Sequence, residues 1–226
     1  MAERLPIQLN DTDSVTGLVY AANKQQRRGV TLLLGHGAGA DQTSAFMVSF
    51  ATGLAARGVD TVTFNFLYTE QGRRAPDTNN KLEACYRAAI DAARGLRKLK
   101  ANRLLIGGKS LGGRIASQVA ATGVDDLAGL VFLGYPLHAP GKADQPRMAH
   151  LPQIQAPLLF LQGTRDPFGT PDELRAVIKQ LKLRATLHEV AGGDHSFTVP
   201  KKWPASQPEV YAAAQEAIIE WIKNQQ

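Results

Sequence analysis

Arg103-Leu-Leu-Ile-Gly-Gly-Lys-Ser-Leu-Gly-Gly-Arg114 is a short apolar run that breaks into glycines and resumes at Leu111–Ala121 with apolar residues at helical spacing. It reads as a strand, a tight turn and a helix. The turn holds Gly108-Lys-Ser-Leu-Gly112, a match to Gly-x-Ser-x-Gly in the strand–turn–helix context that the motif requires. The reason is steric. Small residues two before and two after the serine let strand and helix approach, and the Ser110 hydroxyl then projects above the sheet edge.

The same alternation recurs on both sides of this stretch. Val30–Leu34, Thr61–Phe66, Leu130–Leu133, Pro157–Leu161 and Ala185–Val190 are short apolar or β-branched runs, most of them closed by glycine. Runs of this kind suit the central strands of a parallel sheet. Between them, Ser44–Arg57, Asn80–Leu99, Pro171–Leu181 and Gln207–Lys223 carry helical spacing, and Pro171, Asp172 and Glu173 make a favourable first turn. Ser14–Ala22 is a candidate edge strand. The expected fold class is α/β: a mostly parallel central sheet of about six to seven strands with helices on both faces, in a single domain over residues 1–226. The two longest loops, Leu67–Asn79 and Tyr135–Gln155, both follow strands and are placed to line a site at the carboxyl end of the sheet. Neither is long enough for a separate helical lid.

Bulk composition excludes several classes of function. The chain has 226 residues, 44 % hydrophobic and 20 % charged, which suits one sizeable globular core. The net charge of +6 is spread in pairs such as Arg27–Arg28, Arg73–Arg74 and Lys201–Lys202. It forms no run of five or six like charges, so a solvated basic surface is expected and nucleic acid is not an expected partner. With a lone cysteine, Cys85, there is no intrachain disulfide and no Cys-rich zinc site. Residues 1–10 lack the apolar segment of a secretory signal, and no apolar run approaches the ~20 residues of a membrane span. The cytoplasm is the expected location, with no membrane partner.

A serine hydroxyl needs a base. Of the five histidines, His188 falls inside a strand, and His138 and His150 sit in the Tyr135–Gln155 loop. His195 directly follows the last strand, in Gly192-Gly-Asp-His-Ser-Phe197, on the nucleophile's side of the sheet. The base needs an acid that fixes its tautomer. Asp166, in Gln162-Gly-Thr-Arg-Asp-Pro-Phe-Gly169, follows the penultimate strand, and the order Ser110, Asp166, His195 suits this architecture. Asp194 adjoins His195 in sequence and is therefore poorly placed to face it. The loop 134–143 offers no carboxylate.

Acyl transfer also needs donors for the developing oxyanion. The N–H of Leu111, the residue after the nucleophile, is one candidate; it opens a helix, whose unpaired N–H groups favour an anion. The other is the N–H of Ala38, in Gly35-His-Gly-Ala-Gly-Ala40 after the first central strand. His36 is then a structural histidine that braces this loop.

Two rival readings rest on the same glycines. Gly108-Lys-Ser110 resembles the tail of a phosphate-binding loop, but position 103 is Arg where that motif needs Gly. Gly35–Ala40 matches a dinucleotide fingerprint, but no acidic residue closes the following strand: Asp60 precedes it and Glu70 lies beyond it. Among lesser candidates, Cys85 is expected to be a small core residue. Met47, Tyr68, Phe168 and Phe197 are candidates for an acyl pocket or for the core. Arg73, Arg74 and Arg114 are candidates for attracting an anionic substrate.

Leu32-Leu-Leu-Gly-His-Gly-Ala-Gly39, Gly107-Gly-Lys-Ser-Leu-Gly-Gly-Arg114, Gln162–Gly169 and Gly193-Asp-His-Ser-Phe197 together resemble the small α/β-hydrolases of the dienelactone-hydrolase-like kind. Tyr68, Gly72-Arg-Arg-Ala-Pro-Asp77 and Gly134-Tyr-Pro-Leu-His138 are similar to one subfamily of these. It includes the testis-expressed protein thirty type and the hydrolase-like subunit of the non-specific-lethal acetyltransferase complex. The resemblance runs from about Val30 to Phe197. It implies the α/β-hydrolase fold and a Ser-His-Asp triad. Dienelactone hydrolases proper carry a cysteine nucleophile where this chain has Ser110.

The function expected is hydrolysis of a small, soluble ester, thioester or activated amide through an acyl-enzyme, with no cofactor or metal. Because the subfamily includes members with a scaffolding role, the alternative is a catalytically silent interaction module.

Overall fold

The computed structural model describes residues 2–225. Among these, eight strands form one sheet: β1 (Glu3–Gln8), β2 (Ser14–Tyr20), β3 (Val30–Gly35), β4 (Asp60–Phe64), β5 (Arg103–Lys109), β6 (Leu127–Leu133), β7 (Leu158–Gly163) and β8 (Ala185–Val190). Their spatial order is β1-β2-β4-β3-β5-β6-β7-β8. All pairings from β4 across to β8 are parallel, and β1 and β2 are antiparallel to their neighbours. Six α-helices intervene: α1 (Ala45–Ala56), α2 (Leu67–Glu70), α3 (Asn79–Gly95), α4 (Leu111–Ala121), α5 (Pro171–Gln180) and α6 (Gln207–Lys223).

The core divides by face. Side chains alternate along a strand, so Leu33 points one way and Leu32 and Leu34 the other. Leu33, Ile106, Phe132 and Phe160 pack under Tyr86 of α3 and Ile115 of α4. Leu32, Leu34, Val131 and Leu159 pack under Phe50 of α1 and Ile218 and Trp221 of α6. Each such side chain contributes roughly 1.5–3 kcal/mol by leaving water, opposed by the entropy of ordering the chain. Two helix starts carry capping boxes: α5 has Thr170 and Glu173 with Pro171 in its first turn, and α6 has Ser206 and Glu209.

The sheet has one strand more than the six to seven expected. Ser14–Tyr20 is an inner strand rather than the edge, because Glu3–Gln8 pairs outside it in register from Glu3 opposite Val19 to Gln8 opposite Ser14. Only Leu5 and Ile7 of β1 are buried. That is too short an alternation to stand out, and Pro6 in its middle is tolerated because the strand lies at an edge.

The strand order places the site. The chain leaves β3 for β4 on one side and then returns to β5 on the other. The loops after β3 and β5 therefore diverge, and a crevice opens at the carboxyl end of the sheet.

Candidate active site

The turn between β5 and α4 holds Ser110 at φ 50° and ψ −111°, a conformation that L-residues rarely adopt. Backbone contacts hold it there: Ser110 N–H donates to Leu133 O at 3.1 Å, and Arg114 N–H donates to Ser110 O at 3.0 Å. The flanking glycines are required by proximity. A Cβ on Gly108 would stand 2.3 Å from Gly35 O, and one on Gly112 would stand 2.1 Å from the same oxygen.

The structure brings Ser110, His195 and Asp166 together from three separate loops. Ser110 Oγ lies 2.8 Å from His195 Nε2, and His195 Nδ1 lies 2.7 Å from Asp166 Oδ2. A carboxylate only accepts, so Nδ1 carries the ring proton and Nε2 is left to accept from the serine hydroxyl. The Asp166 side chain is fully buried, whereas His195 keeps 18 % of its side chain exposed. Phe168 covers one face of the imidazole, with ring centroids 4.2 Å apart.

The two loops that carry acid and base are tied to each other. Thr164 N–H donates to Val190 O at 3.1 Å, Arg165 N–H donates to Gly193 O at 2.9 Å, and Gly192 N–H donates to Thr164 Oγ1 at 2.8 Å. Asp194 caps its own loop, accepting from Ser196 and Thr198 N–H at 2.8 and 2.9 Å. It therefore lies in the turn rather than facing the imidazole.

Ala38 and Leu111 line the same cleft as Ser110. No group among the described residues accepts from either backbone N–H. His36 braces the loop from below, as expected. It is fully buried, its Nδ1 faces Gly37 O at 2.9 Å, and its Nε2 accepts from Phe66 N–H at 3.2 Å. Burial lowers its pKa, which keeps the ring neutral for both contacts.

Three further residues shape the site. Gln162, on β7, is fully buried; its Nε2 donates to Asp166 Oδ2 at 2.8 Å and to Gly169 O at 2.7 Å, and its Oε1 accepts from Tyr135 N–H at 2.9 Å. The Asp166 carboxylate takes a further bond from Phe168 N–H at 2.8 Å. Lys109, inside the serine motif, is buried and sends its ammonium to His195 O at 2.5 Å. Arg147 enters the cleft from the loop after β6. Gln162 and Lys109 lie within the glycine-bearing stretches of the acid and the nucleophile, but no spacing rule marks them.

The cleft measures about 360 Å³, and Phe46, Met47, Pro136 and Phe168 form its apolar walls. Of the four candidates for pocket or core, Phe168 lines the cleft, Met47 lines it from the buried core, and Tyr68 and Phe197 are buried in the core alone. At φ 60° the Phe197 backbone turns its ring down onto Phe46 and Phe50. Tyr68, on α2, lies beneath the site beside His36 and Phe66.

Of the three arginines expected near substrate, Arg114 lines the cleft; Arg73 pairs with Asp77, and neither Arg73 nor Arg74 reaches it. Cys85 is a core residue whose thiol burial pushes up to about 12. His138 faces Glu173 at 3.1 Å, His150 faces Ser117 at 2.7 Å, and His188 lies in β8. Asp60 starts β4 rather than closing it, and is bonded to Ala22 N–H and to the Asn102 and Arg27 side chains.

A larger cleft, about 460 Å³, opens at the opposite end of the sheet beside Thr31, Asn102 and Arg103 and holds none of the site groups. Among the described residues no cluster of three or more His, Cys, Asp or Glu is arranged to hold a metal. No helix among them is long and apolar enough to cross a membrane.

The family profile described as alpha/beta hydrolase domain matches residues 28–223. Among solved structures, a dienelactone hydrolase from Anabaena variabilis superposes with a TM-score of 0.78 at 19 % identity, covering 99 % of this chain and 97 % of that one. A serine hydrolase without a lid from Xanthomonas campestris gives 0.74 at 18 % identity, covering 97 % and 94 %. Est1E from Butyrivibrio proteoclasticus, with ferulic acid bound, gives 0.75 at 17 % identity, covering 97 % and 99 %. At these identities the likeness is one of fold.

Proposed function

The chain belongs to the alpha/beta hydrolase domain family, and on that premise we propose that it is a serine hydrolase of carboxylic esters, thioesters or activated amides. The observation that carries the reading is the pair of contacts at His195, 2.8 Å to Ser110 Oγ and 2.7 Å to Asp166 Oδ2. A serine hydroxyl within reach of an imidazole, oriented in turn by a buried carboxylate, is the arrangement that activates a nucleophile. The sequence resemblance to the testis-expressed protein thirty subfamily belongs to this proposal.

In this reading Ser110 Oγ attacks the substrate carbonyl while His195 Nε2 takes its proton. The Asp166 carboxylate stabilises the imidazolium through Nδ1–H. The Ala38 and Leu111 N–H groups, which have no protein acceptor among the described residues, meet the new oxyanion. Collapse expels the leaving group with the proton from His195 and leaves an acyl-enzyme on Ser110. Water then attacks the acyl carbon, His195 takes its proton, and the second collapse frees the acid and returns the proton to Ser110. A cleft of about 360 Å³ favours small, soluble substrates over long acyl chains.

Labelling with a fluorophosphonate probe tests this directly. Wild-type protein is expected to label, and Ser110→Ala and His195→Ala to lose the label while staying folded. A folded wild type that does not label overturns the reading in favour of a catalytically silent interaction module.

A further inference from the structure

The cleft that opens on Ser110 is lined by Lys109, Arg114 and Arg147 and by no carboxylate. The nearby acids are engaged elsewhere. Asp166 is buried behind His195, Asp194 caps its own loop, and Asp41 accepts from Thr43 N–H and Oγ1. Lys109 is directed to His195 O.

The two arginines have no such partner. Arg114 stands one helical turn past Ser110 on α4 and is half-buried; its side-chain hydrogen bond goes to a neutral acceptor, Asn79 Oδ1, at 3.2 Å. Glu83 acts on it only from beyond ion-pair distance. Neither Arg114 nor Arg147 has a salt-bridge partner among the described residues. Burial and the Arg147 charge both depress the Arg114 pKa, so two like charges act on one another with no carboxylate between them.

The backbone is held on both sides. Arg147 N–H donates to Leu137 O at 2.7 Å, and its carbonyl accepts from Tyr135 OH at 2.9 Å. Tyr135 is fully buried, packed against Phe132 and Phe160. Ser117, one helical turn below Arg114, bonds Arg114 O at 2.7 Å and His150 Nε2 at 2.7 Å, and lies 3.4 Å from Tyr135 OH. Burial and Arg114 hold His150 down to about 4, so this anchor adds no third charge. One buried polar cluster therefore holds the backbone of both arginines at the mouth of the Ser110 cleft, where the Arg114 side chain is half-buried and Arg147 is exposed. A half-desolvated cation facing another cation is unfavourable until an anion lies between them, and a guanidinium fork matches a planar carboxylate.

We propose that Arg114 and Arg147 form an anion subsite of the Ser110 cleft, and that the substrate is an ester, thioester or amide bearing a carboxylate. The substrate class rests on the hydrolase reading above; the subsite itself is a binding claim that can be tested without turnover.

The test compares kcat/KM within two matched pairs, each corrected for its hydroxide-catalysed rate. Para-acetoxybenzoate against para-acetoxybenzamide places the charge on the leaving group, and monoethyl adipate against ethyl hexanoate places it on the acyl group. The carboxylate is expected to win by roughly tenfold in at least one pair. The preference should shrink as NaCl is raised and vanish when Arg114→Gln and Arg147→Gln are combined. The salt series on wild type decides the matter if that variant fails to fold. Calorimetric titration of Ser110→Ala protein with para-acetoxybenzoate and para-acetoxybenzamide separates this claim from catalysis. Tighter binding of the carboxylate with no labelling of wild-type Ser110 keeps the subsite and removes the hydrolase. Labelled Ser110 with no preference for the carboxylate in either pair removes the subsite and keeps the hydrolase.

Discussion

The ammonium of Lys109, one residue before the nucleophile, donates to the main-chain carbonyl of His195 at 2.5 Å. It links the serine turn to the base loop independently of the imidazole. The same ammonium sits 5.6 Å from the Phe46 ring centre, so its surroundings are an aromatic wall and one carbonyl. Burial holds its pKa down to about 8 from the 10.5 of an open lysine, with Asp166 and Asp194 pulling against the shift.

The sign of that shift yields a prediction. Between about 8 and 10.5 the unfolded chain binds a proton that the folded chain has released, so this group makes stability rise with pH across that window. The full effect is on the order of 3 kcal/mol. Lys109→Met removes the titration, so the stability of wild type relative to the variant should grow between pH 7.5 and pH 9.5 in denaturant unfolding. Loss of the link should also lower kcat roughly tenfold by loosening His195. A flat stability difference across that range would show that Lys109 is solvated.

Gln162 supports the acid from behind. Its amide nitrogen serves Asp166 and Gly169 while its oxygen takes Tyr135 N–H. Gln162→Leu would leave the carboxylate short of one donor and Tyr135 N–H without an acceptor, each costing about 1–3 kcal/mol when buried. Stability is expected to fall by that order, and kcat to drop more than KM rises because the imidazole loses its fixed partner. Gln162→Glu places a second carboxylate beside Asp166 and should be worse than Leu. Wild-type kinetics in either variant would mean that Asp166 is held without Gln162.

What was legible in the chain and what was not follow from the range of the contacts involved. Ser110, Asp166 and His195 each sit in a short glycine-bearing stretch just after an apolar run, and a parallel sheet delivers all such stretches to one edge. Local pattern plus chain order was therefore enough to bring them together. Gln162 ties Asp166 and Gly169, four and seven residues on, to Tyr135, 27 residues back, and Tyr135 also anchors Arg147 across 12 residues; no spacing rule encodes those contacts. Phe197 and Tyr68 were open to either side of the backbone from sequence alone; a positive φ at one and the short helix α2 at the other turned both into the core. The strand Glu3–Gln8 offered only two buried side chains with a proline between them.

Glycine at 112 is held by a close approach rather than by flexibility. A Cβ there would stand 2.1 Å from Gly35 O and 2.8 Å from Gly35 Cα, both backbone atoms that cannot swing aside. Gly112→Ala should destabilise by about 2–3 kcal/mol, the range of overpacked cores, and displace Ser110 from His195. Gly123 is the control. Its φ of 100° is unsuited to alanine, but nothing lies within 4 Å of the added carbon, so Gly123→Ala should cost only about 1 kcal/mol of backbone strain and leave labelling of Ser110 intact. Equal melting temperatures for the two variants would contradict the close approach.

Strain at the nucleophile separates stability from activity. Ser110 is held at φ 50° and ψ −111°, where any residue with a Cβ is disfavoured by about 1–3 kcal/mol. Ser110→Ala keeps the Cβ and so keeps the strain. Ser110→Gly removes it, against the larger entropy that glycine loses on folding. Both variants abolish the nucleophile, so activity does not distinguish them, but the glycine variant should unfold at higher denaturant, by about 1 kcal/mol in stability. If Ser110→Ala proves the more stable of the two, the turn is relaxed rather than strained, and the exposed position of the hydroxyl must come from the packing of Gly108 and Gly112 against Gly35 alone.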